Sequence, residues 1–218
     1  MTVCIFAKEP RAGHVKTRLA ASVGDVAAVQ LAAAFLRDTV ALVRSLDIPF
    51  VIAWSGDPEA APRDTEVWPQ GEGDLGERLE RVFGRALTRS DWAIALGADS
   101  PGLPARNLLA GVEALHTQDA VVGPTVDGGY YLLGLTRLEP ALFARVPWST
   151  PLTRVRTIER LSARGYRLAT LKTWFDVDDG RDLKRLTSML RRQVVRADET
   201  ARVLGIDAPG VDIFARRA

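Results

Sequence analysis

Lys16 and Arg18 close the run Lys8-Glu9-Pro10-Arg11-Ala12-Gly13-His14-Val15-Lys16-Thr17-Arg18, which follows a short apolar strand at residues 3–7. In an open α/β sheet, ligands gather outside the carboxyl ends of the strands. A loop there with a glycine and several cations can cradle phosphate through backbone N–H groups and charge. Gly13 lets the backbone approach a ligand closely, Lys16 offers a point charge and Arg18 a planar fork. The alternative is a pair of solvated cations on a turn. A P-loop spacing is absent. His14 has no second His or Cys beside it and reads as a solvated loop residue. Two positions apart, Lys16 and Arg18 would not share a helical face, whereas alternation along an extended chain puts both on one side. The expectation is an extended loop with both cations on phosphate.

Carboxylates supply the complementary chemistry. Asp99 lies in Gly97-Ala98-Asp99-Ser100-Pro101, directly after a strand at 92–96. Its oxygens are of the type Mg²⁺ takes alongside phosphate and water; the competing reading is an Asx turn before the next helix. In Phe175-Asp176-Val177-Asp178-Asp179-Gly180-Arg181-Asp182, helix capping accounts for Asp179 and Asp182, and Asp176 is the better ligand candidate. Asp127, in Gly123-Pro124-Thr125-Val126-Asp127-Gly128-Gly129, could be a base or an acceptor-binding group, but Asp-Gly between apolar runs is equally a hairpin signal. The run from Gln70 through Gly73 to Arg78 could meet a nucleobase or phosphate, or be a loop with its cap.

The elements that would position these groups alternate along the chain. Strands are expected at 3–7, 50–54, 92–96, 120–122, 130–135 and 167–171. Helices are expected at 25–46, at 75–86 behind Asp74, at 103–116 with Pro104 in its first turn, from 150 to Gly165, and from Asp178 or Asp179 to about Leu190. Such alternation means a mostly parallel sheet with helices on both faces. The first long helix is apolar on more than one face and is expected to be well buried. One domain is expected over 1–190, followed by a basic C-terminal helix and tail, 191–218, with Arg191, Arg192, Arg196, Arg202, Arg216 and Arg217.

Composition sets the bounds. The 218 residues are 47% hydrophobic and 26% charged, with a net charge of +2. That is the profile of an ordinary globular domain, without the bulk charge of a nucleic-acid surface. A single cysteine, Cys4, allows neither a disulfide framework nor a Cys-based zinc site. The first apolar stretch is too short for a signal h-region, and no stretch reads as long enough to span a bilayer. The cytoplasm is the expected location.

Taken together, the motifs resemble a bacterial family of small GT-A-like selenodomain-associated transferases, or arsenosugar-biosynthesis glycosyltransferases. The matching stretches are Phe6-Ala7-Lys8 through Gly13 to Lys16-Thr17-Arg18-Leu19, Gln70 with Gly73-Asp74-Leu75-Gly76-Glu77-Arg78, and Gly97-Ala98-Asp99-Ser100-Pro101-Gly102-Leu103-Pro104. They continue with Gly123-Pro124, Asp127-Gly128-Gly129-Tyr130-Tyr131, Pro147-Trp148-Ser149-Thr150, and Asp176-Val177-Asp178 with Asp182-Leu183. The resemblance runs in order over about residues 3–190. Residues 124–126 depart from it, reading Pro-Thr-Val where Pro-Ala-Glu is expected, so an acidic contact is absent at Val126.

The family is similar to 2-phospholactate guanylyltransferases and molybdenum-cofactor nucleotidyltransferases. The resemblance implies a single GT-A (Rossmann-like) three-layer α/β/α sandwich with a mixed, mostly parallel sheet, and Mg²⁺ or Mn²⁺ as cofactor. It implies a nucleotide site at Ala7, Lys8, Gly13, Lys16, Arg18, Gln70, Gly73, Arg78 and Asp99, with the metal on Asp99 and Asp176. Asp127, Gly128, Gly129, Tyr130, Trp148 and Ser149 would meet the acceptor, with Asp127, Lys16 and Arg18 catalytic. The partners implied are a nucleotide or nucleotide sugar and a small acceptor, with a homodimer open, and neither nucleic acid nor membrane. Glycosyl transfer from a nucleotide sugar is the first functional expectation. Nucleotidyl transfer from an NTP to a small phosphate or phosphonate is the second, and nucleotide binding without turnover the third.

Overall fold

The computed structural model describes residues 1–206; Arg216 and Arg217 of the basic tail lie outside the described residues. A seven-stranded sheet has the order β3-β2-β1-β4-β6-β5-β7. Its strands are β1 (Thr2–Lys8), β2 (Phe50–Ser55), β3 (Val67–Pro69), β4 (Ala93–Gly97), β5 (Ala120–Pro124), β6 (Tyr130–Leu135) and β7 (Leu168–Thr170). β6 pairs antiparallel with both β4 and β5; the other pairings are parallel. This is the mixed, mainly parallel sheet that the alternation implied.

Strand alternation divides β1 between two cores. Val3, Ile5 and Ala7 face a layer that includes Leu36, Val43 and Leu108, from α2 (Asp25–Ser45) and α4 (Ala105–Ala114). Cys4 faces Leu79, Val82, Phe83 and Leu161, from α3 (Leu75–Leu87) and α5 (Thr153–Ala163). Period-two strands with an apolar face on each side bury both faces of the sheet, giving three layers. Burial pushes the Cys4 thiol up to about 12, so it packs as a small hydrophobe.

A third cluster stands beside the sheet. Leu19 of α1 (Thr17–Val23), Leu31 and Phe35 of α2, Leu183 and Leu186 of α6 (Gly180–Arg191), and Ala201 of α7 (Asp198–Val203) meet there with Phe175 and Val177. α2 thus buries two faces, as its composition suggested. It is also long and apolar enough to cross a bilayer, with a mean hydropathy of 1.6 in its most apolar window, which corrects the expectation that no stretch reaches that length. Its packing against the sheet and α7 makes it a core helix. α1 and β3 were absent from the sequence reading. α1 is seven residues long and buries only Leu19, so it carries no periodic stripe.

Candidate nucleotide and metal site

The order of strands reverses at β1. From β1 the sheet grows through β2 to β3, then returns to the other side of β1 with β4. That is the topological switch point where α/β sheets open a crevice at their carboxyl ends. The loops leaving β1 and β4 carry Lys16 and Asp99, and a cleft of about 350 Å³ lies between them. Ala7, Lys8, Lys16, Arg18, Gln70 and Asp99 line it together with Asp178. Two larger grooves, of about 860 and 730 Å³, lie along α6 and between α2 and the segment before α7. Neither brings cations and carboxylates together at the switch point, so the chemistry favours the smaller cleft.

Lys16 organises the cleft. Its side chain is only 6% exposed, and its ammonium lies 2.9 Å from Asp99 Oδ1 and 3.0 Å from Asp178 Oδ1. Burial alone would lower its pKa; the charges of Asp99 and Asp178 outweigh that and hold it above the ordinary lysine value. The Phe35 ring lies 5.9 Å from the ammonium. Arg18 Nη2 reaches the other oxygen, Asp178 Oδ2, at 2.9 Å.

The loop is not extended here, contrary to expectation. Lys16 is the N-cap of α1 in the left-handed region, φ 48° and ψ 41°, and Arg18 is already helical. The two side chains still converge because Lys16 stands outside the helix, where its left-handed backbone turns the side chain back toward Asp178. A non-glycine residue held there costs on the order of 1–3 kcal/mol and persists only where its surroundings fix it. The loop before it is fixed: Lys8 Nζ donates to the His14 carbonyl at 2.7 Å, and Gly13 turns at φ 75°.

Asp178 arrives from the far end of the chain. The Val177 N–H donates to the Asp99 carbonyl at 2.9 Å, which ties the segment before α6 to the loop after β4. Asp179 and Asp182 form the capping box of α6, and Asp182 also accepts from the Asp178 N–H at 3.1 Å. The backbone of Asp178 is thereby held while its carboxylate stays free for the cleft. Sequence reasoning passed over Asp178 because it adjoins a cap; the Asp179-x-x-Asp182 box, which makes Asp179 the N-cap, is the signal that frees it.

Asp176 sits behind this pair, hydrogen-bonded to the Ser100 hydroxyl. Burial pushes its carboxyl up to about 7, against that hydrogen bond, with the Asp99 charge adding to the rise. The cleft lining holds Asp99 and Asp178 but not Asp176. Among the described residues no group of three or more His, Cys, Asp or Glu side chains could hold a metal by itself. Two carboxylate oxygens already converge on one positive centre, the Lys16 ammonium. That donor set fits Mg²⁺ or Mn²⁺, since Mg²⁺ is usually held by one or two carboxylates with substrate phosphates and water completing its shell.

The remaining candidates divide by task. The Gln70 amide nitrogen donates to the carbonyls of Ala7 at 3.0 Å and Ala53 at 2.8 Å, so its oxygen is the acceptor left over. Arg78 donates to the Gly73 carbonyl at 3.0 Å and to Ser55 Oγ at 3.2 Å, and Arg81 holds the Gln70 and Glu72 carbonyls. These arginines shape the loop, and Gly71 and Gly73 supply its left-handed turns. Asp127 lies on the β5–β6 hairpin, outside the cleft lining, and its Oδ1 accepts from the Thr125 hydroxyl at 2.5 Å and the Gly129 N–H at 3.1 Å. Gly128, at φ 95°, packs so closely on Pro151 that a Cβ would lie 2.3 Å from its carbonyl oxygen. Trp148 packs on Phe143 and Gly76, and Tyr130 lies beside Thr157 short of hydrogen-bond geometry; among the described residues the buried Trp148 Nε1 and Tyr130 hydroxyl have no hydrogen-bond partner. Ser149 is exposed at φ 58°.

Residues 28–150 match the family model described as "Uncharacterized protein conserved in bacteria (DUF2064)", and the chain belongs to that family. A comparison with curated proteins finds no match. The chain is similar to a solved structure from Desulfovibrio desulfuricans G20 assigned as a nucleotide-diphospho-sugar transferase: 28% identity, TM-score 0.85, covering 94% of this chain and 93% of that one. CMP:2-keto-3-deoxy-manno-octonic acid synthetase complexed with CTP shares the fold at 13% identity, TM-score 0.56, over 88% and 98% of the two chains. So does Rv0371c from Mycobacterium tuberculosis H37Rv, at 16% identity, TM-score 0.55, over 86% and 98%; that protein has also been solved in complex with manganese. The fold is that of the GT-A-like nucleotidyl- and sugar-transferase superfamily.

Proposed function

We propose that this member of the bacterial DUF2064 family is a metal-dependent transferase that takes a glycosyl group from a nucleotide sugar to a small acceptor. The observation that carries the reading is the convergence of Lys16, Arg18, Asp99 and Asp178 beside a cleft at the switch point of the sheet. The likeness to the Desulfovibrio desulfuricans G20 protein supports the donor class. Ala7 and Gln70 would seat the base end of the nucleotide. Lys16 and Arg18 would meet the phosphates, where charge-assisted contacts are strongest. Asp99 and Asp178 would hold Mg²⁺ or Mn²⁺, which supplies charge neutralisation for the departing nucleoside diphosphate. Asp127, with Oδ2 not engaged by the hairpin, would accept the acceptor's proton, with Gly128 and Gly129 beside it in the same hairpin.

Nucleotidyl transfer is the second reading. Two cations on one carboxylate suit a triphosphate tail, and a neighbouring fold holds CTP. In that reaction the same residues would position groups and neutralise charge. Products separate the two: nucleoside diphosphate for glycosyl transfer, pyrophosphate for nucleotidyl transfer. Asp99→Asn is expected to abolish turnover of either kind with the fold intact, because Asp99 is half exposed and packs in no core. Wild-type metal-dependent turnover in that variant would reduce Asp99 to a turn residue.

A further inference from the structure

The Lys16 ammonium occupies the oxygens that a divalent metal would need. It contacts Asp99 Oδ1 and Asp178 Oδ1 at 2.9 and 3.0 Å, from a side chain 6% exposed that passes over the Phe35 ring. Arg18 on Asp178 Oδ2 adds a second cation to the same two carboxylates, and Lys8 lines the cleft beside them. A metal entering this arrangement meets a neutralised pair of carboxylates and an ammonium at its own position. Displacing that ammonium into a buried cleft without a new anion leaves a desolvated, unpaired charge. Nucleotide phosphates would supply the anion.

We propose that Lys16 is an internal counter-ion that keeps divalent metal off Asp99 and Asp178 until phosphate draws it away, so that metal and nucleotide bind as a coupled pair. The inference rests on the metal-and-nucleotide reading above and extends it to the order of assembly. By linkage, whatever factor nucleotide adds to metal affinity, metal adds to nucleotide affinity. The consequence is opposite signs at one residue: removing the Lys16 charge weakens nucleotide binding and strengthens binding of free metal.

The test is Mn²⁺ binding in the absence of nucleotide, followed by electron paramagnetic resonance of the unbound ion. Lys16→Met keeps the length of the stem and removes the charge. It is expected to bind Mn²⁺ about tenfold or more tightly than wild type, the scale of one charge-assisted contact. Asp178→Asn in the same background should cancel the gain. Lys16→Arg, which keeps a cation, should stay near wild type. As a second readout, Mn²⁺ should raise the melting temperature of Lys16→Met more than that of wild type, by mass action; Lys16→Gln serves if the Met variant folds poorly. Lys16→Met binding Mn²⁺ no tighter than wild type, while wild type still binds nucleotide in a Mn²⁺-dependent way, overturns the counter-ion role alone. Absence of Mn²⁺ binding in every variant, together with metal-independent or absent nucleotide binding in wild type, overturns the underlying reading and this inference with it.

Discussion

Lys16 and Arg18 reach the same carboxylate by different chemistry, and their substitutions should separate it. Truncating either one removes a charge-assisted contact worth about 1.5–3 kcal/mol, so Lys16→Ala and Arg18→Ala are each expected to weaken nucleotide binding roughly ten- to a hundredfold by calorimetry. Arg18→Lys should recover only part, because a point charge does not replace a planar fork. Unchanged affinity in both alanine variants would remove the phosphate contact. The placement of these cations and of Asp99 in loops after strands was legible, because apolar runs at 3–7 and 92–96 precede those loops and strand ends point to the crevice. Asp178 was not, since four aspartates within seven residues, Asp176 to Asp182, look alike until hydrogen bonds sort them. The geometry of Lys16 was also hidden: sequence spacing offers helix or extended chain, and the residue adopts neither.

Helix caps set the position of the site's elements. Asp179 accepts from the Arg181 and Asp182 N–H groups at the start of α6, so Asp179→Ala should cost about 1 kcal/mol, read as a lower denaturant midpoint at unchanged slope. Asp74 caps α3 through the same kind of box with Glu77; that cap was legible because Asp precedes an apolar stripe at helical spacing, whereas the cap of α6 was narrowed only to Asp178 or Asp179. α1 was not legible, since one buried leucine in seven residues leaves no pattern. Between β5 and β7, Asp119 accepts from the Arg167 N–H and guanidinium at 2.9–3.1 Å. Those bonds hold its carboxyl down at about 2. Because the folded value lies below the unfolded one, this pair contributes stability above about pH 4 that is lost as pH falls toward 2. Arg167 is largely exposed, so solvent screens the pair and its contribution is small. Asp119→Asn should lower stability at neutral pH by that small amount and leave stability near pH 2 close to wild type, which flattens the loss of melting temperature between pH 4 and pH 2.

At the scale of the molecule, one end of the sheet collects groups separated by most of the chain. The Val177–Asp99 hydrogen bond joins Asp178 to Asp99, and the cluster around Leu19, Phe35 and Val177 seats α1 against α6. The layers were legible from strand–helix alternation; the single antiparallel strand β6 was not, because a tight Asp-Gly hairpin reveals the pairing of β5 with β6 but not that β6 inserts beside β4. α7 is joined to this body by Asp38, whose carboxylate accepts from the Glu199 and Thr200 N–H groups at 2.9 Å. Asp38→Ala should cost about 1–3 kcal/mol of stability through the orphaned donors, measured by thermal or chemical unfolding. A nucleotide site completed by metal on Asp99 and Asp178 is open to calorimetric titration. Nucleoside di- and triphosphates and nucleotide sugars are titrated into wild type, Asp99→Asn and Asp178→Asn, with Mn²⁺ and with chelator. Saturable binding of one nucleotide class to wild type with Mn²⁺ is expected, weakened at least about tenfold by chelator or by either substitution while the melting temperature of the free protein stays close to wild type. Equal affinity with and without metal, or wild-type affinity in both Asn variants, would contradict it.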